Sequence, residues 1–543
     1  MKFESLLDKL IADTTQTSLQ HFSPELAICA TIVALLLVRL FNAERWLPSY
    51  WVALAGSLVG FILVFEQFME FKAGTAVAGE YFTGLLVYDQ FAVFFRLFLL
   101  LFLILVVSLT VICGIPDDED APDFYTLLLG STIGMLLMPG ANSLLMLFLA
   151  IEMASVPSYV LVGFLKGRKQ SSEAALKYVV YGAGAAGVML YGISLLAGLT
   201  GTTNLPELAS RISELVSHEG ATMSAAAART LLLGILMVLV GFFFKLSIFP
   251  FHFWCPDAFE GAAAEVAGFL SVASKAGAFA LLVRFCYALV GPNPAAFADF
   301  GVSLGIGLGL IAAATATYGN LAAYTQTNVK RLLAYSTIAH AGYMLMAVSA
   351  MLVLLCAPTE VQHNFSEGGS AGAASKAVEG LLFYLFVYLF MNLGAFAIVA
   401  IIRNQIFSEE ISDYKGLGRH AVLPCVCMGV CMFSLVGIPP FGGFWGKVFI
   451  FASVIKATHV HGAMWLVLIA GGANTVFSLF YYIRVLKAMF LEERPEDARK
   501  LEPTLGGVSA MYVAAVTIPV VFLGVLPKYL SETAQHVAAV VFN

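Results

Sequence analysis

Fourteen apolar stretches dominate this chain of 543 residues, each close to the roughly 20 residues that a helix needs to cross a bilayer core about 30 Å thick. They run approximately 25–41, 50–68, 90–113, 124–141, 143–165, 175–199, 230–254, 264–290, 300–320, 332–356, 378–402, 421–455, 463–490 and 507–527. In hydrocarbon a segment must satisfy its own backbone amides, so these lengths predict an all-α polytopic membrane protein of about fourteen transmembrane helices. Composition excludes the alternatives. The chain is 60% hydrophobic and only 12% charged, where soluble domains carry about twice that charge, and disordered chains lack such hydrophobicity. A net charge of -6 offers no basic footprint for nucleic acid. Met1 to Pro24 lacks the basic and apolar regions of a cleaved signal peptide.

Orientation follows from Lys and Arg in the connecting loops. With the N-terminus outside, loops after odd-numbered spans carry most of them, including Lys166, Arg168, Lys330-Arg331 and Arg499-Lys500. The opposite side, with Lys2 and Lys9, holds about half as many, so both termini are expected on the outer face. Asp117, Asp118, Glu119, Asp120 and Asp123 fall on the cytoplasmic side, but acidic residues weigh little in that rule.

Two spans are interrupted. The seventh contains GFFFKLSIFPFHFW, Gly241 to Trp254, with Pro250 inside the apolar run; the twelfth contains SLVGIPPFGGFWGKVFIF, Ser434 to Phe451, with Pro439-Pro440. Proline removes a helix hydrogen bond and clashes with the preceding turn, so each span is predicted to break into two halves. Carbonyls freed at such a break need partners, which places the breaks in protein-lined or hydrated interiors. Each break carries a lysine, Lys245 or Lys447, and paired broken helices are a pointer to a conducting site at mid-membrane.

Five ionisable residues lie well inside spans: Glu152 in the fifth, Lys245 in the seventh, Lys275 in the eighth, His340 in the tenth and Lys447 in the twelfth. A charge at the bilayer centre costs about 2.5–3.5 kcal/mol on insertion scales, so several of them imply a role. The residue types favour protons as cargo. A buried lysine gives up its proton more readily than an exposed one, and a nearby carboxylate restores its charge. A pair such as Glu152 and Lys245 could therefore switch a neighbouring lysine between loaded and empty. Histidine titrates near physiological pH, so His340 could bridge Lys275 and Lys447. Arg96 and Arg284 lie nearer span ends and are expected to snorkel.

Two other motifs point to packing. Cys425, Cys427 and Cys431 have CxC and CxxxC spacings that match neither a zinc site nor a ferredoxin run. Gly182, Gly184 and Gly187 match GxGxxG, but the dinucleotide motif needs a strand before it, whereas here it sits in an apolar helix suited to close contact. Any redox cofactor is expected on another chain.

The stretches GFFFKLSIFPFHFWCPDAFEGA, NVKRLLAYSTIAHAGYMLM and SLVGIPPFGGFWGKVFIF resemble the proton-conducting membrane family shared by respiratory complex I and multisubunit cation/proton antiporters. IEMASVPSYVLVGF, the ISDYKGLGR loop and a lysine after the PP break are similar to the N-type subunits of NADH–quinone oxidoreductase within it; the resemblance covers roughly residues 85–490. It implies two inverted five-helix repeats, with boundaries here at 1–123, 124–290, 300–490 and 491–543. It implies that Glu152, Lys245, Lys275 and Lys447 match the family's functional glutamate and lysines, with His340 on the path between. It also implies a translocase subunit with no cofactor of its own. NADH, FMN, iron–sulfur clusters and quinone are then expected in partner membrane and peripheral subunits of complex I, and the chain in a bacterial inner membrane with periplasmic termini. Alanines follow Gly261 where the family often has Gly-Ala-Pro, and the 202–229 and 356–380 loops are long. Two other readings share these features: an antiporter subunit without redox coupling, and a membrane scaffold that moves no protons.

Overall fold

A computed structural model describes residues 10–117, 119–217, 225–291, 293–295, 297–362, 365, 368–495 and 507–542. Lys2, Lys9, Asp118, Arg499 and Lys500 lie outside the described residues. The helices are α1 (Ser23–Leu40), α2 (Ser49–Ala73), α3 (Gln90–Cys113), α4 (Ala121–Leu137), α5 (Leu144–Val162), α6 (Lys169–Thr200), α7 (Leu205–Ser217), α8 (Ala225–Leu246) and α9 (Trp254–Gly261). They continue as α10 (Ala264–Val290), α11 (Ala298–Ala323), α12 (Val329–Leu355), α13 (Gly369–Ile406), α14 (Val422–Val436), α15 (Gly442–Thr458), α16 (Met464–Phe490), α17 (Gly507–Val525) and α18 (Lys528–Val540). A small antiparallel hairpin, β1 (Gly79–Tyr81) with β2 (Leu86–Tyr88), interrupts the helices. Among the described residues, 13 helices are long and apolar enough to cross a membrane, or 14 when α14 is joined to the bent turn before it. Every apolar stretch of the sequence contains a helix.

Both proline-bearing spans are interrupted. α8 stops at Leu246 and α9 starts at Trp254, while α14 stops at Val436 and α15 starts at Gly442. Each helix ends on a left-handed residue, Ser247 at φ 58° and Gly437 at φ 89°, the conformation that commonly terminates helices.

The chain divides into two compact units. One comprises residues 1–161, 179–245 and 276–296. Within it, α1 to α4 pack together. Two ion pairs, one fully buried and one partly buried, tie them down and overturn the snorkelling expectation. Arg96 is fully buried, with its Nε 2.8 Å from Glu25 on α1, and also donates to Tyr81 of the hairpin. Arg284 donates to both carboxylate oxygens of Asp89 at 2.6 and 2.7 Å, and to the Pro139 carbonyl. Asp89 also caps α3 through the Ala92 amide at 2.8 Å. Span-end position misled here because the carboxylates come from segments distant in sequence. Of the GxGxxG glycines, Gly182 makes the close contact expected, since a Cβ there would stand 2.1 Å from the Tyr159 hydroxyl oxygen, whereas a Cβ on Gly184 or Gly187 would meet nothing within 4 Å, which corrects the packing expectation for those two. The long 202–229 loop contains the amphipathic α7, which buries Leu205, Leu208 and Ile212; residues 218–224 lie outside the described residues.

The other unit comprises residues 162–178, 246–275 and 297–543. Its centre is α13, which contacts α12, α14, α15, α17 and α18. At 38 residues α13 begins at Gly369, so the apparent 356–380 loop is shorter than its sequence suggests. α11 and α12 cross in backbone contact, since a Cβ on Gly342 would stand 2.7 Å from the Ala316 nitrogen. Small residues allow that approach where lipid gives helices no hydrophobic drive to associate. α18 docks on α13 through a hydrogen bond from Ser531 to Glu379, 2.8 Å long. Cys425, Cys427 and Cys431 are buried on α14 as free thiols.

Arg96→Leu leaves the Glu25 carboxylate buried without its cation, which should cost about 3–5 kcal/mol. Denaturation in detergent should show that loss, and much of it should return in Glu25→Leu/Arg96→Leu, where both charges are gone.

Candidate functional site

In the first unit, Lys245 lies on the last turn of α8, fully buried, and its Nζ donates to Ser155 Oγ on α5 at 3.0 Å. Glu152 stands one turn before Ser155 on the same helix, half-buried and within Coulomb range of Lys245. Spacing of three residues puts both on one face of α5. The carboxylate and the lysine proposed from sequence as a pair thus share one neighbourhood, with a serine between them that sequence reading missed.

In the second unit, Lys275 on α10 points at the interruption after α8. Its Nζ donates to the Leu246 carbonyl at 2.9 Å and to Ser247 Oγ at 3.3 Å. Lys447 on α15 makes the analogous contacts across its own interruption, donating to the Leu435 and Val436 carbonyls at 3.1 and 2.8 Å. Its ammonium also lies 4.3 Å from the centroid of the Tyr343 ring. Those carbonyls are ones that a continuous helix would use internally. Proline therefore opens the acceptors that the lysines occupy, and the helix C-termini present the negative ends of their dipoles to the cations.

His340 on α12 is 1% exposed. Its ring nitrogens meet tyrosine hydroxyls, Nδ1 with Tyr384 at 2.5 Å and Nε2 with Tyr482 at 3.2 Å. Lys275 and Lys447 are within Coulomb range of the ring, but its hydrogen bonds go to the two phenols. Tyr482 in turn hydrogen-bonds Ser336, one turn before His340. Nothing local in the sequence marks Tyr384 or Tyr482, which lie 44 and 142 residues from His340.

Sequence reading also missed an ion-pair cluster around α9. Asp257 accepts from Lys177 at 2.8 Å and from Arg331 at 2.7 Å, Glu260 accepts from Arg331 at 2.6 Å, and Glu173 pairs with Lys177 at 2.9 Å. They line a cavity of about 190 Å³. Lys330, read from sequence as a topology anchor, is buried beside them and donates to the Ala262 carbonyl at 2.6 Å while pairing with Glu409 at 3.0 Å. The cluster fixes α9, the segment that follows the interruption and leads into the helix of Lys275. Burial alone would raise the Asp257 carboxyl, but hydrogen bonds from Lys177 and Arg331 outweigh it and hold it below its ordinary value.

Buried lysines at two helix interruptions, inside a bundle of membrane-length helices, define a membrane subunit of the proton-conducting antiporter type. The family described as NADH:quinone oxidoreductase/Mrp antiporter, TM, matches residues 141–356 and 369–478, and the chain belongs to it. It is 35% identical over 540 residues to NADH-quinone oxidoreductase subunit N 2 of Chloroherpeton thalassium, covering 97% of each chain. Among solved structures it is similar to a chain of Thermus thermophilus respiratory complex I with bound aureothin, with 28% identity, a TM-score of 0.69, and coverage of 94% of this chain and 98% of that one. A chain of the Mrp complex from Dietzia sp. shares the fold, with a TM-score of 0.76 at 18% identity over 97% of this chain and 98% of that one.

Because the Asp257 value is depressed, the cluster contributes stability above the ordinary carboxylate pKa of about 3.9 and loses it only as pH falls through the lower folded value. Asp257→Asn should therefore melt below wild type, and the gap should stay constant between pH 8 and pH 5. A gap that narrows across that range in detergent melting curves contradicts this placement of the charge.

Proposed function

We propose that this chain translocates protons as the N-type membrane subunit of NADH–quinone oxidoreductase, with Glu152, Lys245, Lys275, His340 and Lys447 as the proton relay. The observation that carries the reading is the placement of Lys275 and Lys447 on carbonyls released by the two helix interruptions. A buried ammonium held by neutral dipoles is stabilised without being neutralised by a fixed counter-charge. It can accept and release a proton as those carbonyls shift, whereas a lysine locked on a carboxylate resists doing so. Glu152 supplies an adjustable charge: moving toward Lys245 it stabilises the loaded lysine, and moving away it favours release.

The driving force comes from quinone reduction elsewhere in the complex, since the five relay groups are acids and bases and carry no electrons. NADH, FMN, iron–sulfur clusters and quinone then belong to partner subunits, and the enzyme activity is that of the assembled translocase. The two interruptions mark corresponding positions in two inverted five-helix repeats, with the segments 124–290 and 300–490 as the repeats. Lys and Arg placement supports a bacterial inner membrane orientation with both termini on the periplasmic side.

Lys275→Ala or Lys447→Ala should lower NADH-driven proton transport by assembled complex in proteoliposomes, by about a hundredfold or more for the step each residue serves, with the complex still co-purifying in mild detergent. Wild-type proton-to-electron ratios in both variants would remove these residues from the relay. Glu152→Gln should impair coupled turnover while leaving NADH oxidation with an uncoupler closer to wild type. If chains carrying flavin and iron–sulfur clusters do not co-purify with this one, the redox-coupled assignment gives way to the antiporter reading.

A further inference from the structure

We propose that Tyr384 and Tyr482 are proton-transfer residues, forming with His340 a hydroxyl–imidazole–hydroxyl wire; this rests on reading His340 as a member of the relay. The three side chains come from three different helices, α12, α13 and α16, and all are essentially excluded from solvent. Both nitrogens of His340 are engaged, at 2.5 Å to the Tyr384 oxygen and 3.2 Å to the Tyr482 oxygen. A neutral imidazole has one donor and one acceptor nitrogen, so one phenol donates into the ring while the other accepts from it. The wire therefore has a direction, and the tautomer sets it.

Its ends lead in useful directions. Tyr482 continues to the Ser336 hydroxyl. Tyr384 lies against Gly446, where a Cβ would come within 2.2 Å of its ring carbon, so the phenol packs on the turn that carries Lys447. The rings of Tyr343 and Tyr388, at 5.8 and 5.3 Å from the His340 ring, complete an aromatic enclosure.

Transfer in one direction balances as follows. A proton arriving at the Tyr482 oxygen lets the phenol pass its own proton to Nε2. The imidazolium then releases its Nδ1 proton to the Tyr384 oxygen, whose original hydroxyl proton leaves. Three O–H or N–H bonds break and three form, one proton enters and one leaves, and both phenols and the ring end neutral. The ring is left in the other tautomer and must be reset before a second proton follows. A phenylalanine in either position keeps the packing and cuts the wire.

The test is NADH-driven proton uptake by the assembled complex in proteoliposomes, with Tyr384→Phe, Tyr482→Phe, His340→Ala and each Tyr→Phe combined with His340→Ala. Each single variant should lower the proton-to-electron ratio as far as His340→Ala does, and the combined variants should lose nothing further, the non-additivity expected of groups acting as one unit. If His340→Ala is impaired while both Tyr→Phe variants pump at the wild-type ratio, the tyrosine assignment is overturned and the relay stands. If His340→Ala itself pumps normally, the relay reading of His340 fails, and the wire with it. Should the Phe variants not assemble, fluorotyrosine at 384 decides: it keeps the hydroxyl but acidifies it, so an altered pumping rate is expected and an unchanged one overturns the proposal.

Discussion

The structure depends on one arrangement: an ammonium group buried among membrane helices and held by the C-terminal carbonyls of a broken helix. Lys275 rests on the end of α8 and Lys447 on the end of α14. A cation of this size is expensive in a low-dielectric interior, and open carbonyls there are expensive as well. Each cost is offset by the other. Closing either interruption into a regular helix would take the acceptors away from the lysine, and removing the lysine would leave the carbonyls without its donor. Proline placement and lysine placement are therefore parts of one feature: Lys447 reaches the carbonyls released by the proline pair of its own segment, and at the first interruption α10 supplies Lys275.

Around that arrangement the bundle supplies rigidity by different means. α11 and α12 meet backbone to backbone through small residues, and α13 is enclosed by five other helices. The segment between the first interruption and Lys275 is pinned by Lys177, Arg331 and Lys330 acting on α9 and the residues just after it. Tyr178 also stacks on Trp254 at the start of α9, with centroids 4.1 Å apart. Fixing that segment fixes the Leu246 carbonyl and Ser247 hydroxyl relative to the ammonium they receive.

Most of this fold was legible in the sequence because the bilayer reduces the code to length and apolarity. The apolar stretches gave helices, and Pro250 and Pro439-Pro440 fell in their interruptions. The five intramembrane ionisable residues stood out for the same reason: charge is scarce there, so each instance is conspicuous. What was not legible are partners chosen by tertiary packing. Arg96 and Arg284 sit near span ends and read as snorkelling, yet Glu25 and Asp89 reach them from 71 and 195 residues away. Tyr384 and Tyr482 were invisible among 20 tyrosines because a phenol in an apolar helix has the same sequence signature whether it packs or relays. α18 and the hairpin were missed because neither is apolar enough or long enough to resemble a span.

The proposed relay lysines differ from the other cations of the structure in the acceptors that hold them. Arginine does not give up its proton in proteins; here the buried Arg96 pairs with Glu25, the half-buried Arg284 with Asp89 and Arg331 with Asp257 and Glu260, while the half-buried Arg484 donates to the Tyr324 and Gln326 carbonyls. Lysine can release its proton, and Lys275 and Lys447 are held by carbonyls, a hydroxyl and an aromatic face. Lys330 tests the distinction. It is buried like the other two, but it pairs with Glu409 and secures the Ala262 carbonyl, which gives a lysine the fixed surroundings of a structural arginine. Burial alone therefore does not separate the proposed relay lysines from a structural one; the nature of the acceptor does. By that criterion Lys245 occupies the intermediate case, hydrogen-bonded to a neutral serine with a carboxylate one turn away. On the proposed relay, that surrounding suits a lysine whose charge responds to Glu152.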